Sequence, residues 1–375
     1  MTARALLLLA LAAGLLSACA GQGEGDLARE ALARQDYAAA REHAGAALKQ
    51  DPADPVALAD LARAQLALGQ GADALATLER LRRTGSVPPD MKLLLAEGEL
   101  QIGGTAAALE LAGDPPASAE GWRLRALALS QAGRDDKARD AFERGRSADG
   151  PRHRLNIAEA VYRLDRGDRA GAKAALARAS AEAPEAIEVL FVTARIAQLE
   201  DRGDDALAAY LAILDKAPLD RPALLGAIAE HGRRGEIGQL QELVARGIAA
   251  MPEDAEFVYL SARLLAERDD WEKVRELLQR REPLLPEHPD SRALYAQALL
   301  ELGQYESARA HAAPLYRTHP ESVMIRRIYA RALIETGDAT AARAVIAPLV
   351  DRPGAQAIDR HLAERASHRN FSLRD

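Results

Sequence analysis

The chain has 375 residues, a formal net charge of −7, 48% hydrophobic residues and only 4% aromatic residues. The mild acidic charge argues against a dedicated nucleic-acid-binding protein, because such proteins usually carry a basic patch. A core so poor in large rings must be built from Ala and Leu, which favour helices, whereas strand-rich folds use more β-branched and aromatic residues. The composition therefore predicts an all-α protein.

The chain begins with a segment typical of a secretory signal peptide. Arg4 supplies a positive charge, and residues 5–16 form an apolar run, which is shorter than the roughly 20 residues of a membrane-spanning helix. The run ends in the sequence LSAC, whose last residue is Cys19. This sequence resembles the lipobox of bacterial lipoproteins. The resemblance implies removal of residues 1–18 and attachment of lipid to the sulfur of Cys19.

Cys19 is the only cysteine of the chain, so it has no partner for an internal disulfide. An exported protein with a single free thiol is unusual, and lipidation accounts for it. Ala20 follows Cys19, whereas Asp at this place often signals retention at the inner membrane in lipoproteins of Gram-negative bacteria. The resemblance implies an outer-membrane lipoprotein that faces the periplasm. Residues 19–25 are predicted to form the lipidated cysteine and a flexible tether.

A signal with a period of 34 residues follows the predicted tether. Small or aliphatic residues lie seven positions before and five positions after each of ten polar or glycine turn positions, and a proline lies seventeen positions after six of them. Small residues let two helices approach closely, glycine tolerates the positive φ past a helix end, and proline ends a helix. Each period therefore predicts a helical hairpin. The turn positions are Gln35, Gly69, Gly103, Gly133, Gly167, Asp201, Gly235, Asp269, Gly303 and Gly337.

This spacing and these residue classes resemble the tetratricopeptide repeat over residues 26–350. The resemblance implies an all-α, right-handed α-α superhelix of about ten helical hairpins. Two features depart from the family pattern. The usual Trp early in the first helix is matched only by Trp122, and the large aromatic residue after the turn only by Phe142 and Tyr210. We therefore expect leaner packing than is usual in the family.

One spacing is shorter, since only 30 residues separate Gly103 from Gly133. The shortfall lies at residues 111–118, where a glycine precedes two prolines. We predict that the second helix there is truncated by about one turn, and that the solenoid divides into two stacks at this point. At the other end, residues 351–375 are predicted to form a polar capping helix, over residues 355–367, and a tail.

The sequence carries no recognisable catalytic or metal-binding motif. The eight histidines form no HExxH pattern, and GxSxG and Walker-type sequences are missing. Paired acids such as Asp135-Asp136 fall at turns and first helical turns, where carboxylates complement the helix dipole. We expect no enzymatic activity, no cofactor and no metal site.

The remaining candidate site is the inner surface of the superhelix. The family resemblance implies that the residue six positions before each turn faces a concave groove, and five of these ten positions are Arg. Aromatic and aliphatic residues lie ten positions before several turns. We predict a groove with an apolar middle and guanidinium groups near both ends, suited to a peptide that bears carboxylates. The alternative is that these arginines solubilise the surface and pair with neighbouring acids. The predicted groove residues are Arg63, Arg195, Arg263, Arg331, Phe191 and Tyr259.

The expected function is that of a lipid-anchored, periplasm-facing scaffold that binds proteins or peptides and helps to assemble a cell-envelope machine. A pilus, a secretion apparatus or an exopolysaccharide exporter would be such a machine. One alternative is an adaptor that recruits peptidoglycan hydrolases or proteases. Another is the repeat arm of an enzyme, for which almost no chain remains outside the repeats. The membrane is reached through lipid on Cys19, and nucleic acid is not an expected partner.

Overall fold

The structure of the chain, a computed structural model, describes residues 23–368. These residues form 21 α-helices and one 3-10 helix, without a strand among them. They belong to two compact units, of which the first ends at Gly235 and the second begins at Glu236. The predicted signal peptide, Cys19 and residues 369–375 lie outside the described part of the chain.

The first unit, unit 1, contains six consecutive helical hairpins and one further helix. The helices are α1 (Glu24–Ala33), α2 (Tyr37–Gln50), α3 (Pro55–Ala67), α4 (Gly71–Arg83), α5 (Met91–Gln101), α6 (Thr105–Ala112), α7 (Ala119–Gln131), α8 (Asp135–Gly145), α9 (His153–Asp165), α10 (Arg169–Glu182), α11 (Ile187–Leu199), α12 (Gly203–Lys216) and α13 (Arg221–Arg234).

The second unit, unit 2, begins with one helix, continues with three hairpins and ends with a terminal helix. The elements are α14 (Ile237–Ala250), α15 (Ala255–Ala266), α16 (Trp271–Gln279), a 3-10 helix (Glu282–Leu284), α17 (Pro289–Glu301), α18 (Tyr305–Thr318), α19 (Val323–Glu335), α20 (Ala339–Val350) and α21 (Ala357–His368).

All ten predicted turn residues adopt a positive φ, between 56° at Asp201 and 85° at Gly337. Seven of the ten are glycine, which occupies this region without steric cost. Gln35, Asp201 and Asp269 are the non-glycine residues with positive φ in the described chain. The periodic signal therefore marked the helix-to-helix turns correctly, including those without glycine.

Small side chains allow the helices of each hairpin to pack closely. The residue seven positions before the turn is buried in all ten cases, and the residue five positions after it is buried in all except Leu240, which is half-buried. Buried leucines such as Leu78 and Leu299 fill the space between hairpins, and each contributes about 1.5–3 kcal/mol through the hydrophobic effect. The lean packing predicted from the scarcity of aromatic residues is thus built on Ala and Leu.

Helix α6 lies at the irregular repeat, and the predicted division of the solenoid into two stacks at this point stays a prediction. Helix α6 has 8 residues, whereas most second helices have 13 or 14, and the chain turns at Gly113 with a φ of 90°. Hydrophobic contacts nevertheless bridge this break. Ala108 and Ala112 of α6 share a hydrophobic cluster with Leu124 and Ala128 of α7, so the core continues across the break. The boundary between compact units lies after Gly235.

The two ends of the solenoid differ slightly from the predicted boundaries. Helix α1 begins at Glu24, inside the predicted tether, because Glu24 and Asp26 place carboxylates in its first turn. Glu24 also contacts Nδ1 of His43 at 2.7 Å. At the other end, α21 is the predicted capping helix, and its Leu362 and Ala366 join the last hydrophobic cluster of unit 2.

Candidate functional site

In unit 1, the predicted groove arginines are paired with acids of neighbouring helices. Arg63 donates hydrogen bonds to both carboxylate oxygens of Asp90, at 3.1 and 3.2 Å. Arg195 on α11 donates to Asp165 at the end of α9, at 2.7 Å. Both arginines therefore link one hairpin to another, as the pairing alternative predicts.

In unit 2, the predicted groove arginines are also paired. Arg331 on α19 donates hydrogen bonds to Glu301 on α17 at 2.6 and 3.1 Å, and this pairing raises the pKa of Arg331. Arg263 lies 3.5 Å from Glu267 and 5.9 Å from the ring centroid of Tyr259. Peptide binding by these arginines stays a prediction.

The two aromatic residues of the predicted groove are partly used in packing. The half-buried ring of Phe191 meets Tyr210 of α12 edge-on, with ring centroids 6.3 Å apart. The half-buried ring of Tyr259 lies 5.5 Å from the imidazole of His288. Neither ring is an open apolar surface.

Four charged side chains form a closed ion-pair network on helices α5, α7 and α9. Arg123 donates to Glu97 at 2.8 Å and to Glu120 at 2.7 Å. Arg154 donates to the same two acids, at 3.0 Å to Glu97 and 2.6 Å to Glu120. Because Arg154 and Glu97 belong to hairpins separated by a third one, the first helices of unit 1 must curve tightly.

The charges of this network compensate one another. Burial raises the pKa of Glu120, but the charge of Arg123, the hydrogen bonds from Arg123 and the charge of Arg154 together outweigh it and hold that pKa below its ordinary value. Burial lowers the pKa of Arg123, but the charges of Glu97 and Glu120 and the hydrogen bonds to them together outweigh burial. The pKa of Arg123 therefore lies above its ordinary value. Both shifts favour the charged forms of Glu120 and Arg123, and every arginine of the network already contacts two carboxylates, which makes it a poor site for an incoming anion.

A second contact, here called the closure contact, joins the first hairpin of unit 1 to the sixth. The side-chain carbonyl of Gln35 accepts a hydrogen bond from the backbone N–H of Ile187 at 2.9 Å. The amide group of Gln35 donates to Glu188 at 3.0 Å, and the hydroxyl of Tyr37 donates to Glu188 at 3.3 Å. Unit 1 therefore completes one superhelical turn, and its beginning touches α11.

The closure contact also shifts the pKa of its tyrosine, Tyr37. Burial, and then the charge of Glu188, raise the pKa of Tyr37 to about 12. The Tyr37 hydroxyl thus remains a hydrogen-bond donor throughout the physiological pH range.

Unit 2 carries an open cavity of about 420 Å³, here called the C-terminal cavity. It lies among α17, α19 and α21, and its lining is apolar apart from Gln297 and two arginines. Met324 and Ile358 lie on it with 45% and 44% of their surface exposed. The arginines of the lining are Arg327 and Arg331, so one predicted groove residue belongs to this cavity.

Arg327 is held in place by a carboxylate behind the cavity. Its guanidinium donates to both oxygens of Asp359 at 2.7 and 3.0 Å, and Asp359 is completely buried. Asp359 also accepts the backbone N–H of Gln356 at 2.9 Å and lies 3.9 Å from Arg352. The hydrogen bonds from Arg327 hold the pKa of Asp359 below its ordinary value, although burial acts in the opposite direction.

Sequence reasoning missed the position thirteen residues before each turn. Positions six, ten and thirteen before the turn share one face of a first helix, because three and seven residues correspond to about one and two helical turns. The position-thirteen residues include a hydrogen-bond partner of Arg63, two members of the ion-pair network, a member of the closure contact and an exposed residue of the C-terminal cavity. They are Asp90, Glu120, Arg154, Glu188 and Met324.

Over residues 23–368, no group of three His, Cys, Asp or Glu side chains is arranged to hold a metal ion. Over the same range, none of the helices combines the length and apolar character that a membrane crossing requires.

Comparison with known families gives matches along both units. Models described as tetratricopeptide repeat match residues 31–98, 157–221 and 294–358. A model described as anaphase-promoting complex, cyclosome, subunit 3 matches residues 240–315. No curated protein matches the chain.

Solved structures of low sequence identity resemble the chain weakly. The APC/C hetero-tetramer Cut9-Hcn1 has a TM-score of 0.45 at 12% identity, over 94% of this chain and 98% of that chain. Yeast Tom70 has a TM-score of 0.37 at 15% identity, over 94% and 89% of the two chains. PilW, described as a type IV pilus biogenesis factor, has a TM-score of 0.36 at 19% identity, over 62% and 94%.

Proposed function

Since this chain belongs to the tetratricopeptide repeat family, we propose that it is a lipid-anchored scaffold of the bacterial cell envelope that helps to assemble a multi-protein machine. Tetratricopeptide repeats indicate a protein-binding scaffold. Residues 26–350 are almost entirely repeat, and we therefore assign the chain a binding role and propose no catalytic step.

The observation that carries this proposal is the C-terminal cavity. It leaves two large apolar side chains, Met324 and Ile358, exposed on one concave surface. Exposed apolar surface beside polar groups is typical of a protein-binding site. In contrast, the concave side chains of α5, α7 and α9 are engaged with one another in an ion-pair network. We therefore place the principal partner site in unit 2.

The proposed anchor is lipid on Cys19, and the proposed location is the periplasmic face of the outer membrane. Both follow from the LSAC sequence and from Ala20. Metabolic labelling with an alkyne analogue of palmitate should label the wild-type chain and leave Cys19→Ser unlabelled. Membrane fractionation should then recover the wild-type chain with outer-membrane markers. Equal labelling of both chains would contradict the proposed anchor.

Partner identity is tested by chemical crosslinking in the source organism, purification of the chain and mass spectrometry. Recovery of several subunits of one pilus, secretion or polysaccharide apparatus would support the assembly scaffold. Recovery of peptidoglycan hydrolases or proteases alone would favour the adaptor function instead. Recovery of no envelope protein by the wild-type chain would contradict both.

A further inference from the structure

We propose that the C-terminal cavity binds an acidic-apolar peptide segment, which inserts one large aliphatic side chain and places an adjacent carboxylate against Arg327 and Arg331. This inference rests on the proposed function and specifies the chemistry of the partner. Shape, charge and free hydrogen-bond donors each support it.

The cavity has the size and the walls of a side-chain pocket. Its volume of about 420 Å³ lies towards the small end of the roughly 300–1,000 Å³ range of ligand pockets, which suits one or two side chains rather than a whole helix. In unit 2, the large apolar residues that are exposed in the described chain are Ile237, Tyr305, Met324 and Ile358. Two of these four border the same cavity, so their exposure is concentrated at one place.

The charge around the cavity favours an anionic partner. Its lining contains two arginines and no carboxylate. Behind the lining, Asp359 and Glu301 face three guanidinium groups, those of Arg327, Arg331 and Arg352. Glu335 also acts on Arg331, so the positive character of the cavity comes from its lining, whose charged groups are both guanidinium. A partner carboxylate would be attracted to these groups, whereas a partner ammonium group would be repelled.

Arg327 retains donors that an incoming carboxylate can use. Its Nε and Nη2 groups donate to Asp359 and Gln356, and its Nη1 group makes no hydrogen bond to any described residue. A guanidinium carries five N–H donors in a planar fork, so it can bind one carboxylate behind the cavity and a second one in front. Asp359, itself buried, fixes the orientation of this fork.

The site depends on α21, which is not part of the repeat. Ile358 and Leu362 of α21 form one wall of the cavity, opposite Met324 and Ile328 of α19. The ion pair between Asp359 and Arg327 holds α21 against α19. The terminal helix thus covers the last hydrophobic face and, in addition, completes a pocket that the repeats alone would leave open.

The test uses the full chain, purified in detergent, and three fluorescein-labelled peptides. Their sequences are GSDLDLDSG, GSKLKLKSG and GSDSDSDSG, which separate the aliphatic requirement from the acidic one. Fluorescence anisotropy should show saturable binding of the first peptide only. Binding should weaken at least about tenfold in Arg331→Gln, a change that corresponds to about 1.4 kcal/mol.

Three residues supply a matched set of variants. Met324, Ile358 and the control Ile237 each lie in the first turn of a helix, with 45%, 44% and 45% of their surface exposed. Asp is favourable in a first helical turn, so all three Asp variants should fold, which circular dichroism and the thermal midpoint would check. Met324→Asp and Ile358→Asp should weaken binding at least about tenfold, whereas Ile237→Asp should bind like the wild type.

Failure of all three peptides, or equal binding by Met324→Asp and Ile237→Asp, would overturn this inference. Equal binding of the acidic and basic leucine peptides would overturn the assigned charge preference. The proposed scaffold function is judged separately, by the crosslinked partners in the source organism. If Met324→Asp captured the same envelope proteins as the wild type, the scaffold would stand and the C-terminal cavity would not be its partner site.

Discussion

At the scale of single residues, Glu159 is the most heavily paired acid of unit 1. Its carboxylate is 1% exposed and accepts hydrogen bonds from Arg146 at 2.6 Å, Arg163 at 2.9 Å and Arg178 at 2.7 Å. Burial raises the pKa of Glu159, but hydrogen bonds from Arg146 and Arg163 outweigh it and hold that pKa below its ordinary value. This carboxylate therefore ties α9 to Arg146 at the end of α8 and to Arg178 of α10.

We predict that Glu159→Gln lowers the free energy of unfolding by about 2 kcal/mol at pH 7, because charge-assisted hydrogen bonds to three arginines are lost. The pKa is lower in the folded state than in the unfolded state, so the stabilisation is present above the unfolded pKa, about 4.3. It is lost as the pH falls through the folded pKa. Urea unfolding at pH 7, 5 and 3 should show the difference between the two chains shrinking at pH 3. A difference that stays constant over this range would contradict the assigned pKa direction.

Two glycines of α14 give opposite predictions for the same substitution. A Cβ atom at Gly247 would overlap the buried ring of Phe257, whereas a Cβ atom at Gly238 would meet open space. We expect Gly247→Ala to destabilise unit 2 by about 1–3 kcal/mol through overpacking. Gly238→Ala should stabilise it by about 0.5–1 kcal/mol, because alanine is the better helix former. Thermal unfolding of both variants checks this, and equal midpoints would show that α14 does not approach Phe257 closely.

At the scale of the elements, the left-handed turn decides where each hairpin reverses. Asp269 has a φ of 57° and Gly303 a φ of 71°. We expect Asp269→Gly to stabilise unit 2 by up to about 1 kcal/mol, since glycine adopts this conformation without strain. Gly303→Ala should destabilise it by about 1 kcal/mol for the same reason. Chemical unfolding of the pair provides the measurement, and a stabilised Gly303→Ala would contradict the assigned turn geometry.

The turns could be predicted from the sequence because they depend on local chemistry. A glycine or polar residue, with small residues at fixed distances on both sides, determines a hairpin within one repeat, so even Gln35 and Asp201 were placed correctly. The same locality limits the prediction at residues 111–118. There the helix does break, but Leu124 and Ala128 of the next helix continue the core. A sequence break does not reveal whether hydrophobic contacts bridge it.

The site could be predicted only in part. Arg331 was predicted as a groove residue because it lies six residues before a turn, and it borders the C-terminal cavity. Whether such an arginine is free or paired depends on a residue of another hairpin, such as Glu301 for Arg331. The wall contributed by Ile358 lies outside the repeats, where the periodic pattern had ended. Neither relationship is encoded within a single 34-residue period.

At the scale of the whole molecule, unit 1 is a superhelical turn whose first hairpin meets its sixth. Gln35 and Glu188 are 153 residues apart and hydrogen-bonded at 3.0 Å. Their meeting results from the summed packing angles of five intervening hairpin steps, so no local motif could predict it. The closure contact restrains the first hairpin, which follows directly after the predicted membrane tether.

We predict that Glu188→Ala frees the first hairpin of unit 1 without unfolding the rest. Loss of the two hydrogen bonds to Glu188 should increase amide hydrogen exchange in α1 and α2, because these helices would lose their long-range support. Glu200→Ala is the control, since Glu200 pairs with Lys173 and Arg202 near the other end of α11. Exchange mass spectrometry should show faster exchange at residues 24–50 only in Glu188→Ala. Unchanged exchange there would mean that the closure contact carries no stability.

We propose that this chain is a scaffold whose partner binds at the C-terminal cavity. The most direct measurement places a photo-crosslinking amino acid at position 324 or, as the control, at position 237, in the source organism. Met324 and Ile237 have the same exposed fraction, 45%. We predict covalent adducts with one set of envelope proteins from position 324, joined through peptides that combine aliphatic and acidic residues. Adducts only from position 237, or the same adducts from both positions, would contradict it.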